Sequence, residues 1–438
     1  MPPVQSPARS ATDDLRGEWA VLFTLAAVQF TSIVDFMIVM PLGPRLIGSL
    51  GIDTARFGWI VSSYTFAAGI AGLAGAAILD RVDRRTAFLV QYSGFVVGTL
   101  LCGLADGFVP LLAARIVTGA FGGVLGGQSL AIVGDLFPAE RRGQATGTLM
   151  SAFAVASVAG VPAGIWMGNA WGWQAPFLVL AAASLPLLAL AAWAIPPLAS
   201  HVGDPGEPAL VRLRGTLTHP DHRRAFSLVS VLMIGAFAVI PFISASYVAN
   251  VGVSEERLPL VFVAGGLVTL LGSPVIGRLV DRCGALAVFR AIVPVSAAMM
   301  VVITHLPAVG VAVAALATAL LMLANTGRMV AAMAMINATV APARRGGFMA
   351  ANSSIQHVAC GVGTALGGAL VSGVPGEPLV GYDRAGWCGA AVTLASLWFA
   401  ARLRPGPSGP PSTPIRSLAA AAEAEAAAGE GMASIEAE

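Results

Sequence analysis

Apolar runs of roughly twenty residues, broken by short stretches rich in Arg, Asp, Pro and Gly, recur along the chain from near Trp19 to Leu403. As a helix, a run of about 20 residues crosses the roughly 30 Å hydrocarbon core of a bilayer. Bounded by charges and by Pro/Gly turns, these runs predict twelve spans, near 18–41, 56–79, 86–105, 108–134, 143–168, 173–195, 224–249, 258–280, 286–304, 309–339, 346–372 and 385–403. The longest polar connection holds Gly203, Pro205, Gly206 and Pro208, then Arg212, Arg214, His219, His222, Arg223 and Arg224, and divides six spans from six. The predicted organisation is an N-terminal segment 1–17, a bundle 18–197, a linker 198–223, a second bundle 224–404 and a tail 405–438. The tail opens on Pro405, Pro407, Pro410 and Pro411 and ends Ala/Glu-rich with no face to bury, which predicts disorder. The fold class expected is all-α integral membrane: twelve transmembrane helices in two pseudo-symmetric six-helix bundles.

Composition agrees with the pattern. Hydrophobic residues are 56% and charged residues 11%, with a mean hydropathy of +0.80, where soluble domains carry about 25% charged residues. Arginine placement sets the expected orientation, because short cytoplasmic loops keep an excess of basic residues. With both termini cytoplasmic, nineteen arginines fall on the inner side against four outside, Arg45, Arg56, Arg257 and Arg384. The remaining two, Arg115 and Arg328, lie inside spans. The segment before Arg16 carries Asp13 and Asp14 and no small-residue cleavage site, so the first span is expected to be retained. A net charge of +2 gives no reason to expect a nucleic-acid partner, and Cys102, Cys283, Cys360 and Cys388 show no metal-ligand spacing. No Ser/His/Asp set, metal cluster or phosphate loop emerges, so neither enzyme activity, cofactor nor metal is expected. The expected partners are a small-molecule substrate, protons and the lipid bilayer, and the chain is expected to act as a monomer.

The two halves repeat. Asp80-Arg81-Val82-Asp83-Arg84-Arg85 after span 2 has a counterpart in Asp281-Arg282-Cys283-Gly284 after span 8. Pro138 to Gly143 is echoed by Pro342 to Gly346, and Gly160 and Gly164 recur as Gly363 and Gly367. Internal repeats of helix bundles characterise alternating-access transporters, whose site lies between the repeats near the midplane.

These residues resemble the major facilitator superfamily, and within it the twelve-helix proton-coupled drug and metabolite exporters, over nearly everything from Trp19 to Leu403. The loop signature G-x-L-x-D-R-x-G-R-R is matched by Gly277, Leu279, Asp281, Arg282 and Gly284. In the first copy Ala76 replaces the first glycine and Asp83 the turn glycine, so either Asp83 enters a left-handed conformation or the turn is rebuilt by pairing with Arg84 or Arg85. Arg115 followed by Gly119 on span 4, and Gly160-Val161-Pro162-Ala163-Gly164 on span 5, match two further family elements. The resemblance implies a conformational latch at the loop motif (Asp80, Arg81, Arg84, Arg85, Asp281, Arg282). Asp80 would reach toward Gly346 and Asp281 toward Gly143, shutting the inner side. Pro162 is expected to kink span 5, and the glycines to allow close, sliding helix contacts.

Asp35 is the only carboxylate inside the hydrocarbon zone by this assignment. A charge at a helix centre costs about 2.5–3.5 kcal/mol on insertion scales, so it must face a wet cavity or a partner. At about 1.5 Å rise per residue, Asp35 lies about 7 Å and Arg115 about 9 Å outside the midplane of their spans. Being level, they are expected to pair, the arginine keeping the carboxylate ionised until water, substrate or helix movement lets a proton load. Asp35 is then the proton carrier and Arg115 its partner. Arg328 lies about 6 Å inside the midplane, and either bonds backbone carbonyls and neighbours such as Asn325 or offers its guanidinium to an anionic part of the substrate. Gln29, Tyr64, Gln128, Tyr247, Asn352, Ser353, Gln356 and His357 are candidates to line the same cavity, each with a helix-to-helix hydrogen bond as the alternative. Three functions remain open: proton-coupled export of a small apolar or amphipathic molecule, proton-coupled uptake of a small anionic solute, and a non-transporting receptor or scaffold.

Overall fold

A computed structural model describes residues 11–78, 82–198, 209–340 and 345–403. Asp80, Arg81, Arg344, most of the glycine- and proline-rich part of the linker and the expected tail lie outside the described residues. The first half comprises α1 (Ala11–Ile38), α2 (Gly43–Leu50), α3 (Thr54–Ile78), α4 (Arg84–Leu104), α5 (Phe108–Leu136), α6 (Ala139–Val155), α7 (Val161–Trp171) and α8 (Ala175–Ala194). The second comprises α9 (Ala209–Thr218), α10 (Pro220–Phe237), α11 (Ile243–Ser246), α12 (Leu258–Cys283), α13 (Ala285–Thr304), α14 (Val311–Ala338), α15 (Arg345–Leu370) and α16 (Tyr382–Ala400). Among the described residues the only extended pairing is one antiparallel bridge, Ser372 with Val380. All-helical construction follows from the medium: in hydrocarbon every backbone N–H and C=O must be satisfied internally.

Ten described segments are long and apolar enough to cross a membrane, from Gly17–Ile38 to Val311–Ala338. α15 and α16 complete the second bundle: both pack on α10 and α16 also on α13, while α15 packs across on α3 of the first half.

Four local features differ from the sequence pattern. A short helix, α2, follows α1, started by Pro44 in its first turn and stopped by Gly51 at φ 60°. The expected linker is not wholly irregular, since α9 lies within it and sets Leu213 and Leu217 against the second bundle's apolar cluster. Span 7 is interrupted: α10 stops at Phe237, a 3-10 turn holds Pro241, and α11 runs into a π turn, Tyr247–Val251. Pro241 has no N–H to continue the ladder. Span 5 divides at a π turn, Ala156–Gly160, where Val161 N–H reaches back five residues to the Ala156 carbonyl. Widening the helix immediately before Pro162 accommodates the proline ring.

The distribution of apolar clusters defines the overall state. One cluster at the arginine-poor end is shared by both halves, joining Ile38, Phe57 and Ile165 to Phe242, Tyr247 and Val261. At the arginine-rich end each half has its own, around Phe88 and Tyr92 in the first and Phe289 and Phe348 in the second. The arginine-poor end is also sealed by polar contacts between halves. Arg45 pairs with Glu255 at 3.0 Å, Asn169 Nδ2 donates to the Glu255 carbonyl at 2.9 Å, and Thr54 Oγ1 donates to the Val371 carbonyl at 2.8 Å. α12 packs on α7 and the π turn, but toward the arginine-rich end it makes at most fringe contact with α6, while α3 and α15 stay packed across the halves. The bundle is closed at the arginine-poor end and parted between α6 and α12 at the arginine-rich end.

Lipid tails are as apolar as leucine, so close van der Waals contact at small residues does much of the holding. Gly160 and Gly164 lie against Val34 and Ile38 of α1; Gly363 and Gly367 lie against Ile234 and Ala238 of α10. The repeat is therefore kept in packing, with each half's glycine helix pressed on that half's first helix. Its spacing sets Asp35 opposite Gly235.

α5 approaches α3 closely enough that a Cβ on Gly119 would stand 2.2 Å from the Tyr64 carbonyl oxygen, whereas one on Gly147 meets nothing within 4 Å. Gly119→Ala is expected to destabilise by about 1–3 kcal/mol through overpacking. Gly147→Ala is expected to be neutral or stabilising by up to about 1 kcal/mol through helix propensity. Thermal unfolding of the two purified variants beside wild type checks both signs.

Candidate functional site

Four helices of the first half converge on one buried charge pair. α1 supplies Asp35 one turn before its end at Ile38, and α5 supplies Arg115 in its second turn. Arg115 Nη1 lies 2.7 Å from Asp35 Oδ2 and 3.4 Å from the Asp35 carbonyl oxygen. Thr99 of α4 donates to Asp35 Oδ1 at 3.2 Å. Tyr64 of α3 turns its ring face toward the guanidinium, 4.4 Å from centroid to Cζ, a cation–π contact. The two charged side chains are 0% and 1% exposed. Arg115 Nε has no hydrogen-bond partner among the described residues. The rings continue across the midline: Phe36 lies 5.3 Å from Tyr64 and 6.2 Å from Phe237 of the second half.

Thr99 was not among the sequence candidates. Nothing distinguishes a threonine in an apolar span until its depth is compared with that of Asp35. Tyr64, expected at the cavity wall, instead backs Arg115.

Among the described residues the second half has no such pair. Thr318, which takes the place of Arg115 by the repeat spacing, shares a 2.7 Å hydrogen bond with the Tyr247 hydroxyl, which also reaches the Ala314 carbonyl at 3.1 Å. Tyr247 is fully buried in the shared apolar cluster and does not line a cavity. Arg328, 2% exposed, donates to Thr393 Oγ1 at 2.9 Å and to the Leu232 carbonyl at 3.2 Å. Its guanidinium is directed to α16 and α10, and Asn325 turns to Ser296 of α13 rather than to Arg328. Gln29 Oε1, Gln128 Oε1, Asn352 Oδ1 and His357 Nδ1 are buried atoms with no partner among the described residues. Buried polar atoms are normally satisfied by protein, water or ligand, so these four are open positions for one or the other. Gln356 is half-buried and Ser353 exposed on α15.

At the loop motif Asp83 takes neither form expected of it. Its backbone is extended (φ −50°, ψ 129°), and it caps α4. One carboxylate oxygen accepts from Thr86 N–H at 2.9 Å and from the Thr86 hydroxyl at 3.0 Å, the other from Leu198 N–H at 2.5 Å. Arg84 pairs with Asp135 instead, and Arg85 donates to the Ala192 carbonyl. These arginines fasten α4 to α5 and α8 within their own half. Gly284, by contrast, has φ 86°, a conformation that disfavours any side chain. Asp281 and Arg282 are exposed and form no ion pair among the described residues, and Gly143 has open space beside it.

A duplicated bundle of membrane-length helices, carrying one fully buried ion pair among the described residues, is the architecture of a multi-pass membrane protein. The chain belongs to the major facilitator superfamily, whose family model matches residues 25–224 and again 225–429. It is 33% identical over 186 residues to an uncharacterized MFS-type transporter of Mycobacterium tuberculosis, covering 42% of this chain and 32% of that protein. It is 27% identical over 248 residues to the chloramphenicol resistance protein of Streptomyces lividans, covering 57% of this chain and 63% of that one. The chain thus spans less than two thirds of the length of either relative. Two solved structures share the fold, each with a TM-score of 0.63. One is a bacterial homolog of the human lysosomal transporter Spinster in an inward-facing, unoccupied conformation, at 15% identity, covering 88% of this chain and 95% of that chain. The other is the human organic anion transporter MFSD10, at 17% identity, covering 90% and 100%.

Removing one partner of a buried ion pair strands the other charge, whereas replacing both with apolar groups of similar volume is near neutral. Arg115→Met or Asp35→Leu alone is expected to cost about 3–5 kcal/mol, and the double variant to recover most of that loss; a thermal-stability double-mutant cycle measures it.

Slight burial raises the Asp83 carboxyl, but hydrogen bonds from Thr86 and Leu198 and the charge of Arg85 outweigh it and hold the group below its ordinary value. Its contribution is therefore present above the unfolded carboxylate range, about 4, and is lost as pH falls through the lowered folded value. Asp83→Ala is expected to cost about 1 kcal/mol at neutral pH, with Asp83→Asn keeping most of the cap, and the Asp-to-Ala difference should vanish in acid unfolding titrations.

Proposed function

We propose that this chain is a proton-coupled exporter of a small apolar or amphipathic molecule, a drug or metabolite, working by alternating access as a monomer in a bacterial plasma membrane. In this reading the ten apolar segments together with α15 and α16 make twelve spans, both termini are cytoplasmic, and the described state is open inward. The observation that carries the proposal is the Asp35–Arg115 pair: a carboxylate fully out of water, held by one guanidinium and one hydroxyl, where helices of the first half meet the midline.

A proton delivered to Asp35 removes the charge that Arg115 is paired with, and so loosens the tie between α1 and α5. Proton loading and helix position are then linked through one contact. Substrate entering from the inner side meets the unpartnered atoms of Gln29, Gln128, Asn352 and His357, which supply hydrogen-bonding capacity without a further net charge. Opening outward separates Arg45 from Glu255 and Thr54 from Val371, while Asp281 would close on α6 near Gly143 and Asp80 near Gly346. Uptake of an anionic solute draws little support from Arg328, whose Nη1 and Nη2 are each tied within the second half, to Thr393 and Leu232. The relation to a chloramphenicol resistance protein agrees with efflux.

Everted vesicles with an imposed proton gradient provide the test. Wild type is expected to accumulate substrate when the lumen is acidic, and Asp35→Asn to lose gradient dependence while keeping downhill exchange. Gradient-driven accumulation unchanged in Asp35→Asn removes the proposed role.

A further inference from the structure

At the arginine-rich end of the second bundle, α10, α15 and α16 leave a groove of about 410 Å³. Its walls are Ile355 of α15 and Phe399 of α16, and Leu217 of α9 covers its end. The main packing partners of α16 are α10, α13 and α15 of its own bundle, so a groove that it walls opens on the perimeter, toward lipid, and not on the passage between the halves. The floor is unusual for such a place. It belongs to α10 and presents Ser227 and Ser230 beside Phe226 and Val231, with Arg223 at the mouth.

Arg223 begins the span; at about 1.5 Å per residue Ser227 lies about 6 Å and Ser230 about 10 Å deeper. Arg223 is exposed, and its guanidinium forms no ion pair or hydrogen bond among the described residues. The nearby Asp221 is taken by Arg224 at 2.8 Å. Ser227 is satisfied by the Arg223 carbonyl at 2.9 Å, but the Ser230 hydroxyl has no partner among the described residues. An exposed cation at the membrane interface, a hydroxyl below it and apolar walls beyond form a graded sequence suited to an anion, an ester and hydrocarbon. Exposed Arg214 on the adjoining α9 and Arg402, stacked 3.3 Å over Trp398 at the end of α16, add positive potential around the mouth.

We propose that this groove binds an anionic phospholipid, its phosphate on Arg223, its glycerol and ester oxygens beside Ser230, and its first acyl carbons between Phe226, Ile355 and Phe399. The apolar walls select a lipid over free phosphate, and the unpaired arginine selects an anionic lipid over a zwitterionic one. The site depends on which end of the bundle carries the arginines and not on the transport reading. Its size is that of a site for a small ligand or a headgroup with its adjoining chain, and basic pockets between membrane helices bind anionic headgroups.

The test is lipid retention by the intact chain, purified and mixed with equimolar phosphatidylglycerol and phosphatidylethanolamine, read by native mass spectrometry. One phosphatidylglycerol per chain is expected to be retained in preference. Arg223→Gln is expected to lower that retention about fivefold, the factor given by about 1 kcal/mol per basic residue near the membrane surface. Ser230→Phe, which fills the groove with Arg223 intact, is expected to lower it similarly, and Arg214→Gln to leave it within twofold. Arg223→Gln alters an exposed side chain, so its result stands even where Ser230→Phe fails to fold. Equal retention of both lipids, or wild-type retention by Arg223→Gln, overturns the proposal. Displacement of the lipid by millimolar inorganic phosphate reassigns the groove to a free anion and overturns it as well. Retention is read without transport, so failure here leaves the export reading untouched.

Discussion

The contact on which this bundle depends is a full charge pair in a place with no water to share it. Once Asp35 is buried in α1, a cation must stand within hydrogen-bond distance, and Arg115 can do so only where α5 comes close. The remaining carboxylate oxygen needs a donor, which brings α4 in through Thr99, and the face of the guanidinium needs covering, which brings in α3 through Tyr64. Apolar surface cannot impose such a register, because in lipid one leucine contact is worth about as much as another. The polar pair therefore specifies where the helices meet, and the glycines let them meet closely: Gly119 one turn below Arg115 on α5, and Gly160 and Gly164 pressing α7 and its π turn against α1 on either side of Asp35.

The second half keeps the architecture and replaces the chemistry. Its glycine helix presses on its first helix just as in the first half, through Gly363 and Gly367. Yet Gly235 stands where Asp35 would be and Thr318, neutral and satisfied by Tyr247, where Arg115 would be, while Arg328 serves as a bracket from α14 to α10 and α16. The loop motifs diverge in the same way. Gly284 uses a positive φ to turn the chain, whereas Asp83 turns it in ordinary extended geometry and spends its carboxylate on a helix cap and on Leu198. Duplication fixed the packing, and each half then found its own way of satisfying its polar groups.

This separation explains what could be read from the residues alone. The spans were legible because a crossing helix needs a long uninterrupted apolar run, and Asp35 with Arg115 because a rise per residue converts sequence position into depth. Direction around a helix axis was not legible, since every span is apolar on nearly all faces. Arg328 and Asn325 therefore turned out to face α16, α10 and α13, and Tyr247 to lie inside the shared cluster, although all three stand at plausible depths. Thr99 was invisible because a hydroxyl leaves no mark on hydropathy. The break at Pro241 and the π turn before Pro162 show the same limit: a proline announces a defect in the ladder, but only the neighbours decide whether the helix stops or widens. α9 escaped notice because Leu213 and Leu217 are too few to stand out in a basic stretch, yet they suffice to dock it.

The closed end has an energetic character that bears on the proposed cycle. Its polar ties are half-exposed or single bonds: an Arg45–Glu255 pair about a third open to solvent, one amide bond from Asn169 and one hydroxyl bond from Thr54. An exposed ion pair is worth about 0–1 kcal/mol and a single hydrogen bond about 0.5–1.5 kcal/mol, so they align the halves without locking them. What resists opening is the shared apolar cluster around Phe57 and Phe242, whose separation exposes surface to whatever enters. Moving a two-state equilibrium from 1:99 to 99:1 takes about 5.5 kcal/mol of differential binding. That is within reach of a single buried charge pair gained or lost, given the roughly 3–5 kcal/mol at stake when one partner is removed, together with a bound substrate. The ion pair links to that cluster through Tyr64, Phe36 and Phe237, a continuous run of rings from the charge to the opposing half. Neutralising Asp35 would thus act where the two halves are held together most tightly, and this is why one carboxylate suffices as the point of coupling in the cycle proposed for this chain.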